Sequence, residues 1–354
     1  MKVLHITNSL SCEDEGFYSQ SLVLGMHRRG YDVTLVAPPG PLSGELESAG
    51  VDLKTFPFLN QPQLEVFRTK SICASLNGNN WDLIHGHDLR DNQLVEGVAE
   101  RLNVPYVITL RTFLRNTKEV QLDDEYVRGI IAPNEALREH GVNDLGISKQ
   151  LLEVIQPGVE IDRLKEQAVF RRGLDPIIAL GTPLVQEKRV EMFLDVAEAV
   201  SGGARSIRFL VLKHGPFESE FRKRTRDKEL QDQVLFLSNQ NAYFDVLPEV
   251  DVLLSTDPDL ELGLDILHVM GCGKPVISSG AGGAYHAVND RETGCLVSLS
   301  KGPHEMIDRL QFLLQHPEEA RRMGKRARRQ IEETFTLDRM LDETTSLMTR
   351  SLGE

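Results

Sequence analysis

Cysteine is scarce and scattered in this chain: Cys12, Cys73, Cys272 and Cys295 are the four in 354 residues, and no two form a C-x-x-C pair. That spacing gives neither a paired-thiol zinc site nor a disulfide framework, so reduced thiols in a cytoplasmic protein are expected. Surplus positive charge is also lacking. The net charge is -13 and the pI about 5.3, against nucleic-acid binding, which relies on an excess of Lys and Arg over phosphate. Long apolar runs are missing too. The opening MKVLHITNSL has one lysine and a short apolar run that soon turns polar, too brief for a signal peptide or a membrane span, and it reads as a first β-strand. Two phosphate-binding signatures are absent: G-x-G-x-x-G after that strand, and G-x-x-x-x-G-K-[ST] anywhere. NAD and P-loop chemistry lose most of their support, and no nucleophile elbow or Ser/His/Asp arrangement is visible.

What is present is a regular alternation. Strand patterns at Lys2 to Thr7, Val33 to Ala37, Val51 to Phe56, Leu83 to His85, Tyr106 to Leu110, Gly129 to Pro133 and Leu152 to Ile155 are separated by helical stretches such as Tyr18 to Arg29 and Asn92 to Leu102. A second series runs from Pro176 to Val297, and Pro317 to Leu352 reads as helical. Short buried strands alternating with helices predict parallel sheets covered on both faces. The expected domains are residues 1–168, residues 169–335 and a last helix, 336–354, packing back on the first domain. Each half ends its strands at loops where ligands of open α/β sheets sit.

Residues 259 to 283, DLELGLDILHVMGCGKPVISSGAGG, are the most informative stretch. A helix from Gly263 to Met270 leads through GCGK into a buried strand and a Gly-rich turn at Gly282 and Gly283, whose N–H groups suit an anion. His85, His87 and Asp88 are metal-ligand types, but crowded on one strand end with no fourth ligand nearby they predict no metal. Asp257 and Asp259 read as a solvated loop. The basic run Arg321, Arg322, Lys325, Arg326, Arg328 and Arg329 reads as a solvated helix face.

Nearly the whole chain resembles the GT-B glycosyltransferases, in particular retaining family 4, also called glycosyl transferase group 1. The resemblance rests on the opening strand with EGFYSQSLVLGMHRRGYDVTLVA, on DLIHGHD, PYVITLR, GIIAPNEAL and VIQPGVEIDRL, and on ALGTPLVQEKRVEMFLDVA, FLVLKHGP, GLDILHVMGCGKPVISSGAGGAYHAV and DRETGCLVS. MGCGKPVISSGAGG is the most specific of these. The resemblance implies an α/β GT-B fold, two Rossmann-like doubly wound domains facing a central cleft. It implies a nucleotide-diphosphate sugar, UDP- or GDP-linked, as donor. In such a reaction the leaving diphosphate must be stabilised, work that the family gives to an Arg/Lys pair and to helix N-terminal amides.

Matched residue by residue, Lys188 falls on the family's diphosphate lysine, while the arginine position holds Thr182. Lys213, Arg189 and Arg111 are the cations that could stand in. The family's paired glutamates fall on Leu260 and His268, with Glu261 one position from the first. His268 could accept one ribose hydroxyl, though not two as a carboxylate can. Arg111 replaces a family histidine and, as a permanent cation, could bind phosphate but not act as a base. His87 keeps a family-like strand end. Gly16, Gly263, Leu264, Gly282 and Gly283 complete the expected donor contacts. The resemblance thus implies a metal-independent, retaining glycosyltransferase acting on a glycan, lipid-linked or small-molecule acceptor, cytoplasmic or peripheral at the inner face of the membrane. The alternatives are a catalytically inactive sugar-nucleotide-binding or scaffolding protein on the same fold, and a sugar-nucleotide epimerase.

Overall fold

The structure, a computed structural model, describes the chain apart from residues 60, 62–64, 77–79, 115–119, 121, 203–205, 240–241, 257–262, 281–283, 301 and 354. It divides into two units, Met1–Gly158 with Leu337–Glu354, and Val159–Thr336. Each is built on a parallel sheet.

The first unit holds β1 (Lys2–Ile6), β2 (Asp32–Ala37), β3 (Asp52–Thr55), β4 (Leu83–Gly86), β5 (Tyr106–Thr109), β6 (Val127–Ala132) and β7 (Leu152–Val154), in the order β3-β2-β1-β4-β5-β6-β7. Its connecting helices are α1 (Asp14–Arg28), α2 (Ser43–Ser48), α3 (Glu65–Ser75), α4 (Asn92–Leu102) and α5 (Glu135–Asn143). Leu4, Ile6, Val36, Ile84, Tyr106, Ile108 and Ile130 form the centre of its core. Strands so buried read as apolar runs because helices cover both faces. The strand order reverses direction between β1 and β4, the switch point at which the strand ends splay and leave a crevice.

The second unit repeats the plan with β8 (Ile177–Leu180), β9 (Arg208–Val211), β10 (Val234–Phe236), β11 (Val252–Ser255), β12 (Val276–Ser279) and β13 (Cys295–Val297), in the order β10-β9-β8-β11-β12-β13. Here the switch point falls between β8 and β11. The helices are α6 (Glu187–Ser201), α7 (Glu218–Asp227), α8 (Tyr243–Val246), α9 (Leu264–Gly271), α10 (Ala284–Ala287), α11 (His304–Gln315) and α12 (Pro317–Thr334). Phe193, Phe209 and Phe221 pack at the core of this unit, Phe193 edge-on to Phe209 with ring centroids 5.9 Å apart.

Three departures from the sequence reading have physical causes. The C-terminal helical stretch breaks at Phe335 and Thr336, where Val159 donates its N–H to the Phe335 carbonyl. Beyond the break α13 (Leu337–Ser351) belongs to the first unit, where Leu341 lies against Gly25 of α1 and Leu347 against Gly129 of β6. Glycine at those two positions leaves room for the leucines: a Cβ on Gly25 would fall 2.6 Å from Leu341. The helix α2 was not expected, since six residues with one buried side chain, Leu46, are too few to show a helical period. Finally, the basic face of α12 is not purely solvated. Arg321 donates to the carbonyls of Val169 and Phe170, Arg328 to those of Leu164 and Gly271, and Arg326 to that of Glu292. Arg322 and Arg329 do stay exposed, beside Glu319 and Glu333.

The four cysteines are unpaired, and burial pushes the thiols of Cys12, Cys272 and Cys295 up to about 11, so they stay protonated near neutrality. Among the described residues no helix is long and apolar enough to cross a membrane.

Candidate functional site

In the second unit, the strand ends around the β8/β11 switch point carry a continuous set of polar side chains. Just past β8, the buried hydroxyl of Thr182 accepts the backbone N–H of Thr256, just past β11, at 2.9 Å. This bond ties together the two strand ends between which the crevice opens. A cavity of about 650 Å³ lies against them, lined by Lys188, Arg189, Met192, Thr256, Ser279 and Gly280 and, from the end of β13, Leu296 to Ser300. Lys188 lies in the first turn of α6 with its side chain exposed, whereas Arg189 is buried. The residues β12 and β13 supply here were not singled out in the sequence. Their contribution depends on strand order, which local patterns do not encode.

Behind the Thr182 strand end runs a buried polar chain. Lys213, just past β9, sets its ammonium 2.7 Å from Oδ2 of Asp265 in the first turn of α9, with both side chains 2% exposed. Oδ1 of Asp265 accepts the Tyr243 hydroxyl at 2.6 Å, and the same hydroxyl lies 3.3 Å from Nδ1 of His268. The His268 ring meets Tyr243 and Phe244 edge-on, and Arg163 stacks over Phe244 at 4.2 Å. Lys213 and His268, chosen separately from the sequence, are thus joined through Asp265 and Tyr243. One available signal was the i, i+3 spacing of Asp265 and His268, which puts both on one helix face.

Gly263 caps α9 with φ of 64°, a left-handed conformation that favours glycine, and Leu264 follows as the first helical residue. Glu261, Gly282 and Gly283, together with Leu260, lie outside the described residues.

In the first unit the expected residues gather around the β1/β4 switch point. Arg111, after β5, is buried and donates to Asp88 at 2.7 Å, and it also meets Glu15 of α1 at 2.9 Å. Burial alone would raise the Asp88 carboxyl, but Arg111 and Arg90 outweigh it and hold the pKa below the usual range. Asp91 nearby goes the other way. Burial, then the charges of Asp88 and Glu15, push it up to about 7. His87 is 1% exposed, with Nε2 2.9 Å from Nδ1 of His5 and Nδ1 2.8 Å from the Ser19 hydroxyl. His5, which the sequence reading passed over, faces His85 across β1 and β4. Burial, first of all, drives all three imidazoles toward the neutral form, His85 to about 3.

Gly16 is in the first turn of α1, because the helix begins at Asp14, ahead of the expected start at Tyr18. A Cβ there would fall 1.9 Å from the Ser11 carbonyl oxygen, so the loop after β1 can fold against α1 only over a bare Cα. Gly16→Ala is expected to destabilise the protein by about 1–3 kcal/mol through overpacking. Urea unfolding with an unchanged midpoint would refute this role.

Comparison with known proteins agrees with this geometry. Residues 163–330 match the glycosyl transferases group 1 family, and residues 16–163 match glycosyltransferase family 4. The N-acetyl-alpha-D-glucosaminyl L-malate synthase of Bacillus anthracis is 27% identical over 160 residues, 44% of this chain and 41% of that protein. The D-inositol 3-phosphate glycosyltransferase of Mycobacterium bovis is 26% identical over 316 residues, 77% of this chain and 62% of that protein. The chain thus spans less than two thirds of the length of these curated relatives. Among solved structures, Anabaena HepE in complex with UDP-glucose superposes with a TM-score of 0.84 at 17% identity, covering 99% of this chain and 100% of that one. Two glycosyltransferase family models together match residues 16–330, and the fold aligns over 99% of the chain: the chain belongs to the GT-B glycosyltransferases of family 4, group 1.

Proposed function

We propose that the chain transfers a hexosyl-type sugar from a UDP- or GDP-linked donor to a glycan, lipid-linked or small-molecule acceptor, with retention of configuration and no metal at the diphosphate. The cavity of the second unit carries this reading. It combines an exposed lysine, a buried arginine and strand-end backbone at a switch point, in a chain of a sugar-transferring family. Anabaena HepE is bound to UDP-glucose, which favours a uridine donor.

In this reading the bond from the sugar C1 to the diphosphate oxygen breaks and the acceptor oxygen bonds to C1 on the same face. The charge left on the diphosphate is met by Lys188, by the amides of Gly263 and Leu264, and by Gly282 and Gly283. Lys213 supplies the second cation in place of the arginine that Thr182 replaces, with Asp265 setting its position. His268 takes the nucleoside and Glu261 the transferred sugar, and in the first unit Arg111 is the cation offered to a substrate. His87, its ring nitrogens both engaged, acts through its neighbour Asp88, which holds Arg111. Gly16 keeps the loop after β1 close to α1. A cytoplasmic setting, with loose attachment at the inner face of a membrane for a lipid-linked acceptor, suits such an enzyme.

A second reading, a nucleotide-sugar-binding protein without turnover, is favoured by Leu260, His268 and Thr182 at positions where the family keeps two carboxylates and an arginine. Calorimetry with UDP, GDP and ADP followed by donor hydrolysis separates the two: binding with turnover supports transfer, and binding without it supports the second reading. No binding at millimolar nucleotide refutes both. Lys188→Ala should weaken binding by about tenfold or more, the scale of a charge-assisted hydrogen bond. An unchanged affinity would show that Lys188 does not meet the diphosphate.

A further inference from the structure

We propose that His5, His85 and His87 bind a zinc ion inside the first unit. His5 and His85 are register partners on the adjacent parallel strands β1 and β4, and His87 follows His85 by two residues. The two-residue repeat of a strand therefore turns all three imidazoles to one face of the sheet. One ring nitrogen from each lies within 4.8 Å of the other two, and all three side chains are between 0 and 1% exposed. Ring centroids are 5.4 Å apart for His5 and His85, 5.2 Å for His5 and His87, and 4.5 Å for His85 and His87.

The hydrogen bonds leave this cluster incomplete. Nδ1 of His85, the lone pair that zinc would take, is buried without a partner, a condition that folded proteins seldom tolerate; Nε2 of His5 is also unpartnered and is not a ligand in the arrangement below. Of the remaining four nitrogens, His5 Nδ1 and His87 Nε2 face each other, and the other two have hydroxyl neighbours that can accept a ring N–H and so fix the tautomer. The Ser19 hydroxyl, itself 3.0 Å from that of Thr7, lies 2.8 Å from His87 Nδ1, and the Thr109 hydroxyl lies 3.0 Å from His85 Nε2. If those two nitrogens carry the ring protons, His87 Nε2 and His85 Nδ1 are left with lone pairs to give. His5 joins them through Nδ1 once its proton moves to Nε2, and zinc replaces the proton now shared between His5 and His87. That pair is 2.9 Å apart and would open to about 3.3 Å, the separation that tetrahedral geometry imposes on zinc–nitrogen bonds of about 2.0–2.1 Å. Three neutral imidazoles suit a borderline ion such as zinc, with the fourth position left for water. This site shares His87 with the first-unit role proposed above but none of the donor contacts, which lie in the second unit, and its test reads metal rather than transfer.

The test is to express the full chain in zinc-supplemented medium, desalt it, and measure metal by mass spectrometry. The X-ray absorption edge of the bound metal and the visible bands of cobalt added to chelator-stripped protein are recorded alongside. About one zinc per chain with nitrogen donors near 2.0–2.1 Å, and four-coordinate cobalt bands, are expected. His5→Gln and His87→Gln should each lower retained zinc at least tenfold, while the exposed control His304→Gln keeps it. Because either variant can lose the fold, the absorption edge of the unmodified protein is decisive by itself. Zinc below a tenth of an equivalent together with absent cobalt bands, an edge with oxygen or sulfur donors, or full zinc retention in a folded His87→Gln chain would each overturn the proposal.

Discussion

Lys213→Met lowers the free energy of unfolding by about 3–5 kcal/mol, while the double variant Lys213→Met, Asp265→Leu recovers part of the loss. The ammonium and the carboxylate are 2.7 Å apart and both side chains are 2% exposed. In water such a pair contributes little, because solvent screens it and each partner is well hydrated alone. Buried, the balance changes. Each ion has lost its hydration, so removing one leaves the other as an uncompensated charge, whereas removing both exchanges an ion pair for apolar packing of similar volume. Guanidinium unfolding of the two single variants and the double variant gives the coupling directly. Additive losses would mean that the pair does not act as a unit. Asp265→Leu alone also removes the acceptor of the Tyr243 hydroxyl, so its loss includes a buried hydrogen bond that the lysine variant keeps.

Lys274 gives the second large effect, and it has a sign that can be worked out. Its side chain is fully buried. Burial, partly offset by Asp251, lowers its pKa from 10.5 to about 8. In the unfolded chain the amine keeps its proton up to 10.5, so between pH 8 and 10.5 the unfolded state binds more protons than the folded one. Stability due to this group therefore rises with pH across that window, by about 1.4 kcal/mol per unit and about 3 kcal/mol in all. Buried thiols titrate at the upper end of the same range in the opposite sense, so the comparison must isolate the lysine. The unfolding free energy of the unmodified protein minus that of Lys274→Met is expected to climb by about 1 kcal/mol between pH 8 and 9, where the lysine is the cleanest to read. A difference that stays flat with pH would refute the buried-charge account.

The fold was open to reading because its signal is local. Runs such as VLHI, TLVA and VISS, each followed by a helical stretch, force a parallel sheet with covered faces, and both sheets are parallel throughout the described residues. The contacts within the site were harder to read because they join distant elements. Asp265 meets Lys213 across 52 positions of sequence, and His5 meets His87 across 82. Those meetings depend on strand order and register, which no window of sequence contains. The arginines of α12 make the same point in another form. Their spacing gives a basic helix face, but only the packed structure decides that Arg321 and Arg328 spend their donors on carbonyls. The stretches 257–262 and 281–283, where the sequence is most suggestive, lie outside the described residues.

The seating of α13 against Gly25 and Gly129 has a consequence for how the protein is made. The first unit receives this helix only after the whole of Val159–Thr336 has been synthesised. At ordinary elongation rates that interval is roughly 10 to 35 s. Throughout it, the apolar ground that Leu341 and Leu347 will cover stays open on the nascent chain, while the second unit can close on itself as soon as its last helix emerges. Order of synthesis and order of completion are therefore reversed: the half that leaves the ribosome first is the one that finishes last.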